Sequence, residues 1–216
     1  MSMEMMFMQL GKGFVTSVEI FALTLIFALP LGLVLSFGRM SKNFVVRWLT
    51  KIYISVMRGT PLMLQLIVVY FGPYYLFEMR MSGTYRFTAV IIAFVLNYAA
   101  YFAEIYRSGI ESIPKGQYEA AKVLGYSKPQ TFVKIILPQV IKRIIPPVTN
   151  ETITLVKDTS LAFVLAVAEM FTLAKQIAAS NTSMVPLMAA GLFYYVFNLL
   201  VAFGMEYLEK KLGYYR

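Results

Sequence analysis

The sequence predicts an all-α, polytopic membrane protein with about five transmembrane helices and a helical cytoplasmic loop between the third and the fourth. Three observations carry that class. Of 216 residues, 59% are hydrophobic and only 14% charged, where an ordinary soluble domain has about 25% charged residues. Charge is absent from 20–38 and from 59–77, 19 residues each, and from the 30 residues of 176–205. About 20 helical residues cross some 30 Å of hydrocarbon, and lipid offers no partner to an unpaired backbone group. The third observation is an interruption: 115–139, "KGQYEAAKVLGYSKPQTFVKIILPQ", is polar and basic.

The first span is read over Phe14–Phe37, the second over Tyr53–Phe77, the third over Phe87–Tyr106 and the fifth over Met184–Tyr207. The fourth, Ile145–Ala168, contains Glu151, Lys157 and Asp158, and its longest charge-free run is the ten residues 159–168. The opening "MSMEMMFMQLGKGF" has neither a basic n-region nor a small-residue cleavage site, so it is read as part of the mature chain. Its methionines suit flexible apolar contact better than capture of copper(I).

Basic residues orient the spans. Arg39, Lys42, Arg47 and Lys51 lie between spans one and two. Arg107, Lys115, Lys122, Lys128, Lys134, Lys142 and Arg143 lie between three and four, and Lys210, Lys211 and Arg216 in the tail. The opposite loops hold only Arg80, Arg86 and Lys175. Fourteen against three puts the N-terminus outside and the C-terminus in the cytoplasm by the positive-inside rule. The net charge of +9 then reflects basic cytoplasmic loops beside anionic lipid, with no nucleic acid required. Cysteine and histidine are both absent. That removes disulfides, thiolate nucleophiles, the usual zinc sites and histidine acid–base chemistry, and no metal site is expected.

The basic insert reads as two short helices. Tyr118, Ala121 and Leu124 recur on one helical face, with Glu119 and Lys122 beside them. Gly125 suits a left-handed terminator. Ser127 and Gln130 form an S-x-x-Q capping box, with Pro129 in the first turn of the next helix. Ile135, Ile136 and Leu137 lead towards the membrane, and Pro138 marks a break or bend. A solvated loop needs none of these devices. A DNA-reading helix–turn–helix is disfavoured by ends tied to membrane spans, and a docking element for a cytoplasmic partner fits better.

Glu119-Ala120-Ala121, Gly125 after three more residues, and Ile135-x-Leu137-Pro138 after nine more resemble the EAA loop of membrane subunits of bacterial ABC importers. "MRGTPLMLQL" from Met57, "YFAEIYRSGIESIPKGQYEAA" from Tyr101 and "TLVKDTSL" from Thr154 are similar to the polar amino-acid branch, the histidine, arginine and glutamine permeases. The likeness runs over nearly the whole chain. It implies a type I ABC importer transmembrane domain over 1–216, with 108–143 as its cytoplasmic EAA or coupling loop, in the bacterial inner membrane. It also implies that Glu119, Ala120, Ala121 and Gly125 form the contact core for a separate ATPase dimer. The chain would bind no cofactor, with ATP and magnesium held by that partner; no G-x-x-x-x-G-K-[ST] loop occurs in it. A soluble binding protein outside and a second permease subunit complete the implied assembly; the family pairs identical or paralogous copies, and a homodimer is expected here.

Polar groups inside spans are functional candidates because they are costly there. Asn97 and Glu104 share a face of the third span; Glu151, Thr154 and Asp158 share one of the fourth. Together they are expected to line a path, with Lys157 the available cation. Glu104 pairing with Arg107 or Lys157 is the bland alternative, as is Asn97 as interhelical glue. Glu151 has no basic partner at helical spacing in its own span, which favours a cationic ligand. The expected substrate is therefore a basic amino acid such as arginine, lysine or histidine, with glutamine or another polar amino acid as alternative. Glu19 and Glu169 are expected near the outer interface and are given no role. An ion-coupled secondary transporter needs more spans and internal repeats. A membrane enzyme finds no readable catalytic group here, and a purely structural protein has no use for the polar stripes.

Overall fold

The computed structural model describes residues 2–79 and 83–212, and every regular element among them is helical. In chain order these are α1 (Met3–Arg39), α2 (Phe44–Gly59), α3 (Leu62–Phe77), α4 (Tyr85–Glu111), α5 (Lys115–Val123), α6 (Lys128–Thr131), α7 (Leu137–Asp158), α8 (Met170–Asn181) and α9 (Val185–Leu212). A π-helical turn, Phe132–Ile136, joins α6 to α7, and a 3-10 segment, Thr159–Leu165, follows α7. Arg80 and Arg216, counted in the charge asymmetry, lie outside the described residues.

Spans one, three and five are single helices: α1, α4 and α9 are each long and apolar enough to cross a membrane. Spans two and four are not. The second is α2 and α3 meeting at 111°, and in the fourth the stretch Lys128–Leu165 meets α8 at 58°. At the first break Pro61 lacks an N–H, and Thr60 before it is extended, with φ −119° and ψ 147°. Gln65 occupies the gap: its Nε2 donates to Met57 O at 2.9 Å, Thr60 O at 3.2 Å and Thr60 Oγ1 at 2.8 Å. At the second break Ala166 is left-handed (φ 53°) and extended Glu169 caps α8. Pro138, expected to break the helix, sits in the first turn of α7. The wider π turn just before it accommodates the ring, so the helix continues.

Core formation follows the small residues of α1. Gly13, Ser17, Ile20, Thr24, Ala28, Gly32 and Ser36 are buried at helical spacing; Gly13 and Ser17 lie against the start of α8, while Gly32 abuts Ala99, Phe102 and Ala103 of the more deeply buried α4. Small side chains let backbones approach where lipid supplies no hydrophobic drive between helices. Phe94, Tyr98 and Phe102 of α4 fill the centre with Leu66 of α3, Leu155 of α7 and Leu165 of the 3-10 segment. Towards the start of α1, Met6 and Leu10 pack with Met170, Ala174 and Ile177 of α8 and Ala190 of α9. Gly13 is needed there: a Cβ on it would stand 2.7 Å from Met170 Cα.

Glu169, expected near the outer interface, is fully buried. It accepts hydrogen bonds from Phe171 N (2.7 Å), Thr172 N (2.7 Å), Thr172 Oγ1 (2.8 Å), Tyr194 Oη (3.0 Å) and Ser17 Oγ (3.5 Å). One carboxylate thus ties α1, α8 and α9 together at the second break. The outer face of α9 (Met188, Leu192, Leu200, Phe203) remains exposed and apolar, as a surface against lipid or another apolar partner must be.

Candidate functional site

Four of the five expected path residues converge on one cavity of about 440 Å³. Asn97 and Tyr101 come from α4, Glu151, Thr154 and Asp158 from α7, and Thr60 and Pro61 from the α2–α3 break. The fifth, Glu104, lines an adjoining cavity of about 510 Å³ that reaches Ser112 and Arg143 at the base of the loop. Tyr101 and Glu151 belong to the walls of both. Each volume lies within the roughly 300–1,000 Å³ usual for small-molecule sites. The shared face of Asn97 and Glu104 therefore spans two successive chambers.

The individual geometries separate exposed groups from engaged ones. Asn97 Nδ2 donates to Met57 O and to Gln65 Oε1, both at 3.0 Å. It therefore locks α4 onto the broken second span. Asp158 Oδ2 accepts from Tyr98 Oη at 2.8 Å. Thr154 Oγ1 donates back to Asn150 O at 3.0 Å. Glu104 is held by Arg107 Nη2 at 2.6 Å and by Arg39 Nε at 3.7 Å. Arg107 also pairs with Glu111. The alternative of Lys157 for Glu104 fails because Lys157 is exposed and makes no ion pair within 4 Å among the described residues.

Glu151 is different. It is partly buried on the wall common to both chambers, and among the described residues no cation lies within 4 Å of it. Arg58 and Asp158 are the charges that act on it. The cation that acts on Glu151 is Arg58, whereas Lys157 acts on Asp158. The Arg58 guanidinium carbon stands 5.2 Å from the centroid of the Tyr101 ring. A signal was present in the sequence, since Arg58 is a charge inside the 25-residue stretch 53–77 read as one span. Tyr101, Gln65 and Glu169 had no comparable signal. Their importance comes from neighbours distant in sequence.

The loop has the expected local chemistry. Gly125 is left-handed at φ 81°. Ser127 and Gln130 form the reciprocal capping box, with Ser127 N donating to Gln130 Oε1 at 2.9 Å and Gln130 N to Ser127 Oγ at 3.4 Å. The face of α5 divides differently from the periodicity. Ala121 turns inward and is buried, while Tyr118, Glu119, Ala120, Val123, Leu124 and Gly125 stay exposed. Arg143 Nη1 reaches the loop base, donating to the carbonyl of Ser112 and, at 2.8 Å, to its Oγ.

Residues 28–214 match the family model described as the binding-protein-dependent transport system inner membrane component. The L-cystine transport system permease protein TcyB of Bacillus subtilis is 37% identical over 208 residues, covering 95% of this chain and 87% of that one. The arginine transport system permease protein ArtQ of the same organism is 39% identical over 93% of this chain and 91% of its own length. A putative glutamine permease, GlnP of Rickettsia typhi, is 33% identical with the same coverage. Among solved structures, an amino acid ABC transporter crystallised with histidines superposes with a TM-score of 0.85 and 29% identity over 94% of each chain. The inward-facing MetNI methionine ABC transporter, at 16% identity and a TM-score of 0.72 over 98% of this chain and 99% of that one, shares the fold.

Proposed function

Since this chain belongs to the binding-protein-dependent transport system inner membrane component family, we propose that it carries a basic amino acid, such as arginine, lysine or histidine, past Glu151. It is the membrane subunit of an amino-acid ABC importer, a transport subunit and not an enzyme, and it works with an ATPase and a substrate-binding protein. The observation that carries the basic reading is the Glu151 carboxylate, without a cation within 4 Å among the described residues, on the wall of two joined cavities. A guanidinium or ammonium entering there supplies the missing charge, while Asp158 and Thr154 border the same space. A relative named for arginine and a related structure crystallised with histidines support this choice. The neutral alternative, glutamine, is favoured by the amides of Asn97 and Gln65 at the cavity and by the relatives named for glutamine.

The exposed side of α5 and its turn is the surface for the ATPase. Glu119, Ala120 and Gly125 make the close contact, and Ala121 anchors the helix from beneath. ATP and magnesium belong to that partner. Fourteen basic residues on one side against three on the other support an outside N-terminus and a cytoplasmic C-terminus. Five spans enclose little space, so two copies of this chain share the assembly.

The test is uptake of labelled arginine by the complete system, challenged with excess lysine, histidine, glutamine or glutamate, in wild type and Glu151→Gln. Suppression by basic competitors alone, with uptake lost in the variant, is the expected result. Glutamine as the effective competitor, with the variant unaffected, would leave the importer standing and return Glu151 to a structural role.

A further inference from the structure

Three guanidinium groups line the lower cavity: Arg58, Arg107 and Arg143. Two are occupied. Arg107 is held by Glu104 and Glu111, and Arg143 by the carbonyl and hydroxyl of Ser112. Arg58, at the exposed C-terminal end of α2, has no carboxylate within 4 Å among the described residues. It lies over the face of the Tyr101 ring. A cation over an aromatic face is oriented without spending its N–H donors on a fixed acceptor. Tyr101 in turn lines both chambers together with Glu151. A free planar fork is thus presented beside the junction of the two cavities.

Every α-amino acid brings a carboxylate, whatever its side chain. Along this route the carboxylates of Glu151 and Asp158 repel that group, and on α7 between them the one cation is the exposed Lys157, which is not among the residues lining either cavity. A guanidinium matches a carboxylate bidentately. We propose that Arg58 receives the α-carboxylate of the transported amino acid at the junction, while Glu151 faces its cationic end. This rests on the amino-acid importer reading but not on the choice of a basic substrate, because the carboxylate is common to all candidates. Arg58 is then a specificity residue for the free acid, acting at a position on α2 that the path residues of α4 and α7 do not reach.

The experiment uses the complete permease–ATPase complex in nanodiscs, without binding protein, so that affinity reports the membrane chain. Binding of L-arginine, L-glutamine and their α-carboxamides is measured for wild type, Arg58→Gln, Arg58→Lys and Glu151→Gln. Arg58→Gln is expected to weaken whichever free acid binds by about tenfold or more and to change its carboxamide by less than about twofold. Arg58→Lys, which keeps the charge and loses the fork, should retain part of the discrimination. Equal weakening of acid and amide, no change in either, or no binding of any of the four to wild type overturns the proposal. Unaltered arginine binding in Glu151→Gln, with the acid–amide difference at Arg58 intact, overturns the basic-substrate reading alone.

Discussion

Replacing Glu169 with Ala tests whether one buried carboxylate joins three helices at the break of the fourth span. The side chain is fully buried and accepts from Phe171 N, Thr172 N, Thr172 Oγ1 and Tyr194 Oη at 2.7–3.0 Å. Alanine removes every acceptor at once. The N-terminus of α8 loses its cap, a change worth about 0.5–2 kcal/mol. Each buried donor left unpaired adds roughly 1–3 kcal/mol. These terms share one network and do not sum, so about 3–5 kcal/mol is expected for the whole. For a chain of this length roughly 2–4 °C of melting temperature accompany each kcal/mol, giving a fall on the order of 10 °C.

Glu169→Gln keeps one oxygen for Thr172 but turns an NH₂ towards the Phe171 and Tyr194 donors, so it should cost about half as much. Tyr194→Phe removes one bond and about 1 kcal/mol. The assay is the heat-induced loss of the monodisperse peak of the detergent-purified transporter, followed by fluorescence-detected gel filtration. The order wild type, Tyr194→Phe, Glu169→Gln, Glu169→Ala is expected. Glu169→Ala melting within about 2 °C of wild type would refute the network.

Two further outcomes follow from the same geometry. Asn97→Ala and Gln65→Ala share the contact between α4 and the α2–α3 break; in a double-mutant cycle on melting temperature their effects should fall short of additivity by about 0.5–1.5 kcal/mol, and simple addition would show the contact to be dispensable. Gly125→Ala puts a side chain at φ 81°, a strain of about 1–2 kcal/mol confined to an exposed turn; assembly-dependent transport should drop while the permease fold melts normally, and unchanged transport would remove this turn from the coupling surface.

Where sequence reasoning succeeded, the cause was local. The left-handed Gly125 and the Ser127–Gln130 box depend on residues within one turn, and both appear as expected. The face of Glu151, Thr154 and Asp158 depends only on helical periodicity, and the three do line one cavity. The second span is present as a bent pair, and its bend was not read: the absence of charge over 59–77 hid the extended Thr60–Pro61 joint. Hydropathy reports the solvent of a segment and says nothing about its straightness.

Membrane class, the helical loop and the candidate carboxylates were determined by the sequence alone, because lipid insertion, capping and helical periodicity act over a few to about twenty residues. Only the tertiary structure decided which charges remain free. Arg39 reaches Glu104 across 65 positions, and Tyr194 reaches Glu169 across 25. Packing of α1 on α4 and of α9 beside α8 brings those positions together, and packing of α2 on α4 sets Arg58 over Tyr101. A charge is paired or free according to what packs beside it in space. What packs beside a carboxylate in this protein therefore decides whether it stays free, as Glu151 does among the described residues, or holds helices together, as Glu169 does.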